Sequence, residues 1–252
     1  YRIYNAIVQR YPFSHAEIQN FLPQELLASL LNNWPENTAF ISNLESGSIS
    51  LPKEISEKEN LLKEHPYNFR RQLNLTNKDE LEKIKGPSHE IWNGFTKILN
   101  SRQIIIAFLS LYSVTILKRL KVKNMQELIQ NYDFTTRLQL LHDKTNYSLG
   151  PHTDNPGKVV VYLIYFDSET SNKNGKPMGT SVYIPKQKGF VCEKGSHHKH
   201  EDFFRVGSAE FIKNNAFSFC RNDISFHGVE KVENSNTERK LLQASIYCLP
   251  KK

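Results

Sequence analysis

Leu149-Gly150-Pro151-His152-Thr153-Asp154-Asn155-Pro156, followed by the apolar run Val159-Val160-Val161-Tyr162-Leu163-Ile164-Tyr165-Phe166, is the stretch on which the reading of this chain turns. In an extended strand, residues two apart project to the same face, so His152 and Asp154 present an imidazole and a carboxylate side by side. Far downstream, Ser225-Phe226-His227-Gly228-Val229 offers a second imidazole on another strand-like run. Two histidines and one carboxylate make the facial triad that holds non-haem Fe(II) and leaves positions open for substrate and oxygen. Twelve residues past His227, Arg239 leads the run Arg239-Lys240-Leu241-Leu242-Gln243-Ala244-Ser245-Ile246-Tyr247. A fixed cation beside a metal suits a dicarboxylate co-substrate. An H-x-D triplet alone is common, and a single strand histidine is more often packed than ligating. The order H-x-D, strand, second His, then Arg at the head of a strand is what favours the metal.

Working outward, the texture from about residue 134 is β-rich. Strands are expected over 135–142, 147–149, 159–166, 180–185, 189–191, 216–220, 224–232 and 240–249, with a turn at 172–177. That many short strands suggest a double-sheet jelly roll. Parity along the last strand sorts its side chains. Arg239, Leu241, Gln243 and Ser245 share one face; the more apolar Lys240, Leu242, Ala244 and Ile246 share the other and are expected to lie under helices. Arg239, not Lys240, then points into the barrel.

Before residue 130 the patterning is mostly helical. A short strand in 12–22 leads to a helix over 24–34, and a strand is expected over 67–75. Helices are expected over 78–84, from Pro87 with Ser88 as cap, over 102–119 and over 125–131. The expected fold is α+β: residues 1–130 form a mainly helical support region, and residues 131–252 a double-stranded β-helix core of the same compact unit. The polar stretch 43–66 reads equally as a mobile flap or an ordinary surface connector. Ser196-His197-His198-Lys199-His200-Glu201-Asp202 is polar and turn-like, and reads as a solvated loop rather than a metal site.

The chain has 252 residues, 38% of them hydrophobic and 11% aromatic, enough for a real core and against disorder. A formal charge of +7 favours anionic partners, although mild basicity also serves solubility. The cluster Lys118-Arg119-Leu120-Lys121-Val122-Lys123 looks like a helix end and its loop. No aromatic-and-basic stacking platform stands out, so nucleic acid is not expected as a partner. Three dispersed cysteines without CxxC pairing imply no zinc site, and suit a reducing, cytoplasmic setting. The longest apolar run, 104–109, is too short to span a bilayer. The chain shows no signal peptide, but it begins at Tyr1 without Met, so a removed leader stays open.

These residues resemble the Fe(II)/2-oxoglutarate dioxygenases, and among them the prolyl-4-hydroxylase-like branch. The run 138–154 is similar to that branch's strand leading into its metal motif, and Gly179-Thr180-Ser181-Val182-Tyr183 to its Gly-x-Thr-Val-Phe strand. Ile18-Gln19-Asn20-Phe21-Leu22-Pro23 is similar to the start of such domains. The likeness covers residues 134–250 well and the first 130 loosely.

It implies Fe(II) held by His152, Asp154 and His227, and 2-oxoglutarate anchored by Arg239, with Gln139 and Ser245 as further candidate contacts. It also implies O2 as oxidant and a hydroxylated product. Arg137 and His142 are candidate substrate contacts on the strand feeding the metal motif. The chain departs from the branch in having Asp143 where a co-substrate-touching Tyr is usual, Asn146 for Gly, and Arg239 in place of a Lys that comes about ten residues past the second His. These departures put a prolyl substrate in doubt, not the iron chemistry. Ser245, where DNA-repair dealkylases carry a second Arg, speaks against that branch, and the presence of Asp154 speaks against halogenation. A small, anionic metabolite or sugar derivative is the expected substrate. A protein side chain, and a non-catalytic jelly-roll binding module, remain open alternatives.

Overall fold

Alternation along the β-prone runs decides which way each side chain faces, and two faces of one sheet organise the molecule. The computed structural model describes residues 2–42, 44–46, 59–167, 177–233 and 238–251. Among them the strands are β1 (His15–Ile18), β2 (Ile41–Ser42), β3 (Arg70–Asn74), β4 (Tyr132–Asp143), β5 (Leu149–His152), β6 (Lys158–Tyr165), β7 (Ser181–Pro185), β8 (Phe203–Ser208), β9 (Ala216–Cys220), β10 (His227–Val229) and β11 (Arg239–Pro250). They form a seven-stranded sheet in the order β1-β9-β6-β11-β4-β3-β2 and a four-stranded sheet in the order β5-β10-β7-β8. Every pairing is antiparallel. The fold is therefore α+β, with two antiparallel sheets and an N-terminal helical region.

Leu138 and Leu140 of β4, Val160, Tyr162 and Ile164 of β6, and Leu242, Ala244 and Ile246 of β11 make one face of the larger sheet. They pack into a single core with Trp92, Phe95, Phe108 and Ile116 of the helices. Phe108 stacks on Tyr162 with ring centroids 4.1 Å apart. The opposite face carries Leu141, Val161, Leu163, Phe217, Phe219 and Leu241, which meet Val182 and Val229 of the smaller sheet. Strand β6 is buried along its whole length because it has helices on one side and the second sheet on the other. That is why it reads as an unbroken apolar run.

The structure differs from the sequence reading in several places. In the first 130 residues β1 and β3 form where strands were expected, but β2 went unread, and these strands edge the larger sheet on both sides. The helix expected over 102–119 is two, Arg102–Leu111 and Ser113–Leu120, bent by 86°. At the break the Tyr112 hydroxyl is hydrogen-bonded to the Ser218 hydroxyl at 2.7 Å. Ser88 does not cap its helix. The helix starts at Pro87 after Gly86, whose φ of 60° ends the preceding turn, and Ser88 donates to Asn33 Oδ1. Residues 189–191 form no strand, and Gly189 turns there with φ 76°. The outer strand β8, exposed except at Phe203, went unread.

Most of the stretch read as a flap, 43 and 47–58, lies outside the described residues. So do most of the turn at 172–177 and the loop at 234–237. No single helix among the described residues is long and apolar enough to cross a membrane. The three cysteines are free and buried.

Candidate metal centre

Strand register brings the two histidines together. His152 closes β5, His227 opens β10, and the two are direct partners across that antiparallel pair. Their ring centroids lie 4.3 Å apart. Each Nδ1 meets a backbone carbonyl two residues back, Gly150 at 3.0 Å and Ser225 at 2.9 Å. A carbonyl only accepts, so each Nδ1 carries the proton and each Nε2 keeps its lone pair, the arrangement metal-binding histidines require. The strands approach closely at this point. A Cβ on Gly228 would stand 2.4 Å from the Leu149 carbonyl oxygen, and one on Gly150 2.0 Å from that of His198. Only glycine fits at either position.

Asp154 comes from the loop between β5 and β6, and that loop is pinned from several sides. Thr153 Oγ1 donates to the Cys192 carbonyl at 2.6 Å, and Arg221 Nε to the Asp154 carbonyl at 2.9 Å. Arg119, from the basic cluster at the end of a helix, donates to the carbonyls of Lys158 (2.7 Å), Arg221 (3.0 Å) and Pro156. Lys158 Nζ holds Asp154 Oδ1 at 2.5 Å, while Oδ2 is buried with no hydrogen-bond partner and lies 3.5 Å from His227 Nε2. One donor atom from each of His152, Asp154 and His227 falls within 4.8 Å of the others, and all three residues are buried.

Burial alone would raise the Asp154 carboxyl, but Lys158 and the two imidazoles hold it well below the usual range. Burial pushes His152 down, helped by His227 and His197, and burial likewise lowers His227. At neutral pH the set is one carboxylate and two neutral imidazoles, which is the protonation state a divalent metal needs. An orphaned carboxylate oxygen facing two lone-pair nitrogens fits such an ion.

The same cavity, about 300 Å³, runs between the sheets from this triad to Arg239. There, register again sets the chemistry. Arg239 of β11 and Arg70 of β3 both stand opposite Asp143 of β4, one on each side. Arg70 grips Asp143 through Nε (2.5 Å) and Nη2 (2.8 Å), while Arg239 reaches the same carboxylate through Nη1 and donates Nε to the Met178 carbonyl. Arg239 Nη2 and the Tyr147 hydroxyl are buried without partners, and both residues line the cavity. Burial pushes the Tyr147 hydroxyl far up, so it stays a donor. Asn146 adopts φ 73°, a conformation asparagine tolerates.

Of the remaining residues proposed from sequence, two line the cavity and two do not. Arg137 and Gln139 line the cavity with Gln243, and Gln139 Nε2 donates to Gln72 Oε1 at 3.1 Å. Ser245 is buried but does not line it. His142 faces the opposite way, against Phe40 and 2.9 Å from Glu238, so it does not reach the cavity. Two residues were missed. Arg70 lay on a strand that was recognised, but the pairing of that strand with β4 was not legible. His197, assigned to a solvated loop, lines the cavity with its ring centroid 4.5 Å from that of His152 and its Nδ1 bonded to the Tyr67 hydroxyl.

No protein-family model matches the chain, and no curated protein matches it. Solved structures similar to it include a Pseudomonas putida prolyl-4-hydroxylase, at 10% identity and TM-score 0.46 over 92% of this chain and 91% of that one. A Phytophthora capsici prolyl 4-hydroxylase is similar at 14% identity and TM-score 0.46, over 92% of this chain and 58% of the other. A Burkholderia pseudomallei oxidoreductase of the 2OG-Fe(II) oxygenase family is similar at 12% identity and TM-score 0.41, over 88% of this chain and 89% of that one.

Proposed function

We propose that the chain is an Fe(II)- and 2-oxoglutarate-dependent oxygenase that hydroxylates a C–H bond of a small, polar, anionic substrate and releases succinate and CO2. The observation that carries this reading is one cavity with a buried His152-Asp154-His227 triad and, further along it, a buried guanidinium, Arg239, with an unpaired donor. His152 and His227 would bind the metal through Nε2, and Asp154 through Oδ2. Bound Fe(II) and 2-oxoglutarate supply the oxidising chemistry with dioxygen.

The protein's own part is positional. Arg239 Nη2 and the Tyr147 hydroxyl offer two donors to a distal carboxylate, fixing the co-substrate's length along the cavity. Leu141, Val161 and Leu163 line the cavity between the ends and exclude water. Arg137, with Nε buried and unpaired, together with Gln139 and Gln243, gives the substrate side a cation and amides, which supports an anionic small molecule. The test is conversion of 2-oxoglutarate to succinate by the Fe(II)-loaded protein while acidic small molecules are screened. Turnover is expected to depend on Fe(II) and to vanish in Asp154→Ala; succinate formed equally by that variant would overturn the reading.

A further inference from the structure

We infer that Arg70 is a positioning residue that keeps the Arg239 end of the cavity an anion site, by offsetting the charge of Asp143. This rests on reading that end as the 2-oxoglutarate anchor. A guanidinium closed against a single carboxylate is a neutral pair with little attraction left for a second anion. Arg239 stands opposite Asp143 and is bonded to it, so these two alone would make a neutral anchor. Arg70, one strand further on, binds the same carboxylate through two nitrogens. Two guanidiniums and one carboxylate leave one positive charge in excess.

That excess charge is held out of water. Arg239 and Asp143 are fully buried, and Arg70 is 8% exposed. A buried uncompensated cation is unfavourable and strongly favours a matching anion. The geometry leaves the donors to receive one. Arg239 is fixed by Met178 and Asp143, so only Nη2 is free, and the Tyr147 hydroxyl is free as well. The Arg70 guanidinium lies 4.2 Å over the Tyr147 ring and so braces that second donor. The group recognised is one carboxylate end of a dicarboxylate.

The experiment measures 2-oxoglutarate affinity of the Fe(II)-loaded protein without oxygen, by calorimetry, for Arg70→Gln, Arg70→Lys, Asp143→Asn and the double variant Arg70→Gln/Asp143→Asn. Thermal unfolding and Fe(II) affinity serve as folding controls. Arg70→Gln, with no excess charge, is expected to weaken binding by about tenfold or more. Arg70→Lys keeps the charge and most of the affinity. The double variant restores one excess charge and is expected to recover most of the loss, a rescue that a merely structural role would not produce.

Unchanged affinity in Arg70→Gln, or a double variant no better than Arg70→Gln, would overturn the inference. Should Arg70→Gln fail to fold, Asp143→Asn decides alone: the inference requires tighter binding, and equal or weaker binding contradicts it. If the unaltered protein holds Fe(II) but takes up no 2-oxoglutarate, the functional reading itself fails.

Discussion

The ammonium of Lys158 lies 2.5 Å from Oδ1 of Asp154, and both side chains are about nine-tenths buried. The pairing divides the carboxylate, with one oxygen committed to the lysine and Oδ2 left for a metal. Lys158→Met keeps the stem but frees Oδ1. It is expected to weaken Fe(II) binding by about 10–100-fold, the usual cost of losing a partner that orients a ligand. Metal titration monitored by competition with a chelating dye measures this, and an unchanged affinity would show that Lys158 does not orient the carboxylate.

Gly228 sits beside His227 where β10 meets β5. Gly228→Ala forces a methyl to within 2.4 Å of the Leu149 carbonyl, so the strands must separate. A loss of about 1–3 kcal/mol in unfolding free energy is expected, together with weakened metal binding as the His152–His227 pair is spread. Denaturant unfolding and metal titration of the same variant check both.

Arg119 ties the helical layer to the metal loop by donating to three carbonyls. Arg119→Met removes all three of these hydrogen bonds and is expected to cost about 1–3 kcal/mol. Its effect on Fe(II) affinity separates loop support from general stability. A loss of affinity measured well below the unfolding temperature indicates loop support.

Arg137 lines the cavity and is the cation that the proposed function assigns to the substrate. Arg137→Gln is expected to abolish stimulation of succinate release by acidic substrates while leaving anaerobic 2-oxoglutarate binding intact. Loss of co-substrate binding instead would place Arg137 with the anchor rather than the substrate.

Much of this was legible in the sequence because side-chain direction on a strand is periodic. The inward aim of Arg239 with Gln243, and the apolar face of Leu242, Ala244 and Ile246, follow from counting by two, whereas Asp154 lies past the end of β5, in a loop whose own contacts set it beside His152. The same rule that turns Arg137 and Gln139 toward the cavity turns His142 away from it, against Phe40. What counting cannot give is pairing between distant strands. Arg70 meets Asp143 only because β3 lies beside β4, and Asp143 reads from sequence as a departure with no partner. His197 lies in a stretch without periodicity, so nothing local tells which of its three histidines turns inward. The break at Tyr112 was masked by continuous helical patterning; at it the Tyr112 and Ser218 hydroxyls are hydrogen-bonded across the core. The aromatic and β-branched content of Phe203-Phe204-Arg205-Val206 was a signal for β8 that could have been read.

The most direct measurement of the central claim is an oxygen-free titration of the metal-free protein with Fe(II) and then 2-oxoglutarate, followed by visible absorbance, with His227→Ala and Arg239→Ala alongside. A weak charge-transfer band is expected on adding 2-oxoglutarate, absent in His227→Ala and requiring far more co-substrate in Arg239→Ala. Iron that binds tightly without any band, or a band unaffected by Arg239→Ala, would contradict the assignment of this cavity to the metal and its co-substrate.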